Sequence, residues 1–117
     1  MAKVAAKKDI YIRKAKVVRV IDGDTAVFNV DLGFDTSITM TCRFEGINAP
    51  ETKTPEGKEV RTWLQKTMPV GSMVTLQTTK DKKEKYGRYL ASVFLPMATV
   101  SLNDEMVKSG MAVAYKG

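Results

Sequence analysis

Between Lys58 and Met68 the hydrophobic period of this chain changes, and that one change restricts the fold more than any other feature. Val60, Trp63, Leu64 and Thr67 recur there at helical spacing and give one apolar side for a sheet to bury. On either side lie runs rich in Val, Ile and Thr, separated by Gly, Pro and Asp, which read as strands. Three precede the helix, over about Tyr11–Ile21, Thr25–Val30 and Ser37–Phe44, and two follow it, over about Ser72–Thr79 and Arg88–Leu95. A second, shorter helix is expected around Leu102, Met106 and Val107, ending near Gly110.

The connections sharpen this outline. Asp22-Gly23-Asp24 is a strong turn signal between the first two strands, and Asp31–Asp35 is a glycine-containing connection to the third. Glu45–Gly57 holds Gly46, Pro50, Pro55 and Gly57 and reads as a loop without regular structure. Pro69 and Gly71 end the first helix, and Lys80–Gly87 is a charged turn. In the first strand Ile12, Val18 and Val20 share one parity and are expected to face the core together. With 117 residues there is room for one domain and one modest core. The pattern is mainly β with short helices and fits a five-stranded closed barrel, which removes exposed edges; an SH3-like barrel or a mixed sheet also satisfies it.

Residues 1–9 have the composition of a solvated basic arm, with Lys3, Lys7 and Lys8, ahead of a single domain over 10–117. The N-terminal residues lack the apolar core of a secretory signal, so a cytoplasmic location is expected unless an export segment has been removed. No stretch is long and apolar enough to suggest a membrane span. The chain contains no histidine, which excludes a histidine base, Cys/His zinc clusters and a Ser-His-Asp triad. Cys42, the one cysteine, is expected to be a buried, inert thiol. A formal charge of +6 favours a polyanionic partner, because phosphate neutralisation releases counterions.

Three stretches carry the chemistry: Asp22-Gly23-Asp24-Thr25, Arg43 with Asn48-Ala49-Pro50-Glu51, and Tyr86-Gly87-Arg88. Phosphodiester hydrolysis needs an activated water, positive groups for the charge growing on phosphate, and alignment of the attacking group. Asp24 and the amide oxygen of Asn48, with the backbone carbonyl of Ala49, are oxygen donors of the kind calcium takes. Glu51 can orient or deprotonate a water, and Arg43 and Arg88 can grip phosphate through planar guanidinium forks. Lys82, Lys83, Lys85 and Tyr86 together offer charge and a stacking ring to a nucleic acid.

The ordered segments VIDGDT, CRFEGINAPE, EKYGRYLA and LNDEMVKSG resemble the thermonuclease, or staphylococcal nuclease-like, family from about Lys16 to Met111. The resemblance implies a five-stranded OB-fold barrel and a calcium-dependent phosphodiesterase acting on DNA and RNA, with 3′-phosphate products. It implies that Asp24 is a metal ligand with Asp22 supporting it, and that Arg43 contacts phosphate. It also implies that Glu51 activates the attacking water, and that Arg88 contacts phosphate and helps the leaving oxygen. Three features depart from the family pattern. Asn48 stands where the family has a metal-binding aspartate, which removes one negative charge from a site tuned by charge. Ala49 replaces a threonine whose inferred ligand is the carbonyl. The family's long C-terminal helix has no counterpart after Tyr115, so the barrel is expected to close without it or against another copy. A monomer is the primary expectation and a homodimer the alternative. The leading function is a sugar-nonspecific nuclease. A catalytically silent nucleic-acid-binding OB-fold module is the second reading and a peptide-binding barrel the third.

Overall fold

The computed structural model describes residues 10–80 and 89–115; the basic arm and most of the charged turn before the last barrel strand lie outside them. The barrel strands are β1 (Ile10–Asp22), β2 (Thr25–Gly33), β3 (Thr36–Phe44), β5 (Met73–Lys80) and β6 (Tyr89–Phe94), and they close in the order β1-β2-β3-β6-β5. All neighbours are antiparallel except β3 and β6, which run parallel because helix α1 (Pro55–Thr67) and β5 come between them in the chain. Two short strands, β4 (Ile47–Asn48) and β7 (Val113–Ala114), pair outside the barrel, and helix α2 (Leu102–Lys108) packs beside β6. This is the five-stranded OB-fold expected from the sequence. No helix among the described residues is long and apolar enough to cross a membrane.

Phe28, Phe44, Leu76 and Val93 fill the barrel from within, and Leu64, Met68, Leu102 and Met106 pack on it from the two helices. Burying each large side chain contributes about 1.5–3 kcal/mol against an extended chain. Trp63 packs one side against this core and turns the other to a surface groove lined by Lys58, Glu59, Thr62 and Lys66. Cys42 is fully buried, and burial pushes its thiol from 9.0 up to about 12, as an inert cysteine requires.

Three expectations are corrected. Ile12 and Val18 do not face the core: they are 61% and 38% exposed, while Ala15 and Val17 point inward with Val20. The cause is a bulge between Val17 and Arg19, whose extra residue switches the inward parity from odd to even along β1. The Asp31–Asp35 connection is shorter than expected, because the β2–β3 ladder continues to Gly33 opposite Thr36. The turn is made by Phe34 and Asp35, both in the left-handed region at φ 55° and 60°. The Glu45–Gly57 segment is also not wholly irregular, since it contains β4 and the first turn of α1. Thr54 starts that helix three residues before the apolar period does: its hydroxyl accepts from Gly57 N at 3.0 Å, with Pro55 at the first helical position.

Candidate active site

The β1–β2 turn brings the first acidic pair to the end of the barrel. Gly23 is needed there, because a Cβ would lie 2.7 Å from Val60 Cγ1 and 2.9 Å from Ala49 Cβ. With only hydrogen at that position, α1 and the 49–52 segment close over the turn. The Asp24 carbonyl then accepts from Phe44 N at 2.8 Å, which ties the turn to the end of β3. Its side chain is largely buried, with Oδ2 accepting from Ala49 N at 3.0 Å and Oδ1 from the Thr25 hydroxyl at 3.1 Å.

Arg43 leaves the end of β3 opposite Thr25, so the guanidinium and the carboxylate emerge on one face. Arg43 Nη2 lies 3.7 Å from Asp24 Oδ2 and donates to Asn48 Oδ1 at 3.0 Å. The Tyr115 ring lies 5.2 Å from the Arg43 guanidinium carbon, and Tyr115 N donates to the Gly46 carbonyl at 2.8 Å. The β4–β7 pairing therefore brings a C-terminal aromatic ring against the arginine that β3 supplies.

The 49–52 segment carries Glu51. Its carbonyl accepts from Thr54 N at 2.9 Å and from the Thr54 hydroxyl at 2.7 Å. Gly57 packs so closely on it that an added Cβ would overlap the Glu51 carbonyl and lie 2.9 Å from the Pro50 oxygen. The backbone of Glu51 is thus held from two sides, while its carboxylate stands in solvent with Lys53 Nζ 3.3 Å away. Beside it the Thr52 hydroxyl donates to Asp22 Oδ1. Asp22, Asp24, Arg43, Asn48, Ala49 and Glu51 line one open cavity of about 500 Å³.

Six of the residues singled out from the sequence therefore converge, although they come from a turn, a strand end and a loop. Lys82, Lys83, Lys85, Tyr86 and Arg88 lie outside the described residues. Sequence reasoning missed three contributors, Thr52, Tyr115 and Asn103, and gave Thr25, which it named beside Asp24, no role of its own. Asn103, on α2, is buried; its Oδ1 accepts from Val93 N at 3.0 Å, and its Nδ2 donates to the Glu45 carbonyl at 2.9 Å and the Ala91 carbonyl at 3.0 Å. It fastens the segment between Arg43 and Asn48 to β6. The available signal was an asparagine, a poor helix former, directly after the apolar Leu102 at a helix start.

Among the described residues no three acidic or thiol side chains converge on a point where a metal ion can sit. The cavity is lined instead by three carboxylates, from Asp22, Asp24 and Glu51, and the Asn48 amide, with the Arg43 guanidinium beside them. Such a set is suited to a phosphoryl group, whose charge a guanidinium meets and whose attacking water a carboxylate can deprotonate.

A family model described as staphylococcal nuclease homologue matches residues 41–117. The chain is 34% identical over 105 residues to a thermonuclease of Staphylococcus hyicus, covering 85% of this chain and 57% of that protein. It is 34% identical over 101 residues to an uncharacterized endonuclease of Escherichia coli O157:H7, covering 86% and 60% respectively. A micrococcal nuclease of Shigella flexneri is 30% identical over 110 residues, covering 88% of this chain and 59% of its own length. The chain thus spans less than two thirds of the length of these relatives.

Proposed function

This chain belongs to the staphylococcal nuclease homologue family, and from that premise we propose that it is a calcium-dependent phosphodiesterase. Its substrates are DNA and RNA, cut without regard to sugar, and its products carry 3′-phosphate ends. The observation that carries this reading is the approach of Arg43 to Asp24, 3.7 Å apart, in a cavity that Glu51 also lines. Chemistry directed at phosphate rather than base edges accounts for low base specificity.

The donors fit a hard cation in kind, since Asp22 and Asp24 carry carboxylate oxygens and Asn48 an amide oxygen, and all three line the cavity. Asp24, the Asn48 amide oxygen and the Ala49 carbonyl would hold calcium, with Asp22 in support, and the ion would supply positive charge to the phosphate and bind a water. Arg43 binds the phosphate; its contacts with Asn48 and Tyr115 restrict the guanidinium before substrate arrives, so little reorganisation accompanies the reaction. Glu51 takes a proton from the attacking water as its oxygen bonds to phosphorus. The bond from phosphorus to the 5′-oxygen breaks, Arg88 hydrogen-bonds that leaving oxygen, and solvent protonates it. Lys82, Lys83, Lys85 and Tyr86 add phosphate and base contacts.

A catalytically silent nucleic-acid-binding barrel is the second reading. It is favoured by one observation: Asn48 contributes no charge, and its amide oxygen already accepts from Arg43. Incubating the purified protein with single-stranded DNA, duplex DNA and RNA, in calcium and then in chelator, separates the two. Cleavage is expected in calcium alone, and it should fall about a hundredfold or more in Arg43→Ala, Glu51→Ala and Arg88→Ala while the barrel stays folded. A folded protein that binds these substrates in a salt-dependent manner but cuts none, over a wide range of calcium and pH, sinks the enzyme reading.

A further inference from the structure

The bulge in β1 also rearranges the outside of the barrel. Directly paired residues on neighbouring strands point to the same face. Lys16 pairs with Asn29 and Arg19 with Val27, and these two β2 residues alternate in step with Thr25, the partner of Arg43. Lys16 and Arg19 therefore lie on the barrel face that carries Thr25 and Arg43 into the cavity. In a regular strand, residues three apart point to opposite faces; the extra residue between Val17 and Arg19 is what aligns them. Lys14 shares the parity of Lys16 on the near side of the bulge. All three side chains are exposed, and none forms an ion pair with another described residue.

Distance along the strand gives this row a direction. At about 3.3 Å per residue, Arg19 stands about 10 Å, Lys16 about 20 Å and Lys14 about 26 Å from Asp22 at the cavity. Those steps are on the scale at which an extended polynucleotide repeats its phosphates. The row ends where Asp31 follows Val30, the partner of Ala15, and brings a negative charge beside Lys14. One line of cations, bordered by the uncharged Val27 and Thr41, suits one phosphate backbone rather than the two of a duplex.

We propose that Arg19 and Lys16, with Lys14 at the far end, form a track that holds the phosphates of a single-stranded polynucleotide where it leaves the cavity. The proposal rests on the nuclease reading and adds a second surface to it, one that contributes affinity for longer strands and none for particular bases.

The test is binding by fluorescence anisotropy in chelator, so that no strand is cut, over a series of salt concentrations. One probe is a single-stranded oligonucleotide long enough to reach from the cavity to Lys14; the other is a dinucleotide that fits the cavity alone. Each phosphate contact to a single strand adds about 0.7 to the salt slope, so Lys16→Gln/Arg19→Gln should lower it by about 1.4 for the long probe. At about 0.1 M salt that corresponds to roughly 25-fold weaker binding, with dinucleotide binding unchanged. Lys16→Arg/Arg19→Lys should restore the slope, which separates charge from folding. Lys58→Gln/Lys66→Gln removes as much charge from α1 and should leave the slope nearly intact. Equal losses in the two glutamine pairs would overturn the track in favour of net charge alone. So would an unchanged slope in Lys16→Gln/Arg19→Gln, and in that case the cleavage reading would still stand. A wild-type protein that does not bind the long probe in chelator would overturn the track, while the nuclease reading is decided separately by the cleavage assay in calcium.

Discussion

Gly57 gives a prediction in which two physical effects have opposite signs. It sits in the first turn of α1, where helix propensity alone says that alanine should stabilise by about 1 kcal/mol. The packing says the reverse, because the new Cβ would overlap the Glu51 carbonyl. Relief requires the 50–51 backbone or the helix start to move. That motion breaks the two hydrogen bonds from Thr54 to the Glu51 carbonyl, at 2.9 and 2.7 Å, which are worth about 1 kcal/mol each. It also disturbs the Thr54 cap on Gly57 N, for about 1 kcal/mol more. Set against the propensity gain, Gly57→Ala should destabilise by about 2 kcal/mol and lower the melting temperature by roughly 10 °C. Urea and thermal unfolding followed by circular dichroism measure this directly. A Gly57→Ala protein as stable as wild type, or more stable, would refute the claim that Gly57 is there to let the Glu51 backbone approach the helix.

Three further outcomes are expected. Asn48→Asp should tighten calcium binding about tenfold or more in isothermal titration calorimetry, since it adds a charged oxygen beside Asp24; unchanged affinity would remove position 48 from the ligand set. Cys42 should stay unreactive toward thiol reagents until the barrel unfolds, as a thiol pushed from 9.0 to about 12 by burial carries almost no thiolate at neutral pH. Because folding raises that pKa, the contribution of Cys42 is fully present below pH 9 and is lost as pH climbs toward 12. Cys42→Ala should flatten that alkaline decline, and an unaltered alkaline limb would show that other groups set it.

The barrel was legible because its signals are local. Asp22-Gly23 marked a turn, the period of Val60 and Leu64 marked a helix, and β-branched runs marked five strands. The inward face of β1 was not legible, since nothing in Val17-Val18-Arg19 distinguishes a bulged strand from a regular one. The bulge belongs to the β1–β2 ladder, just beyond the Ile10–Lys16 stretch that pairs with β5, and shows only in the register of the assembled sheet. The start of α1 was placed late because Pro55, Glu56 and Gly57 carry no apolar period; the Thr54 cap, a contact between a side chain and a backbone amide, extends the helix over them. Asn103 and Tyr115 escaped notice for a related reason: the bond of Asn103 to Glu45 spans 58 residues, and the partners of Tyr115, Gly46 and Arg43, are more than 60 residues away.

The sequence by itself determined the kinds of groups available: carboxylates after turns, arginines at strand ends, no histidine, and an asparagine at position 48. Tertiary structure alone decided that Asp24, Arg43 and Glu51 share one cavity and that Arg43 lies against Tyr115 and bonds Asn48. It also decided that Lys16 and Arg19 face the same way as that cavity. Residue type and local period are written along the chain, whereas the direction of a side chain follows from strand register and barrel closure, which only the assembled sheet can fix.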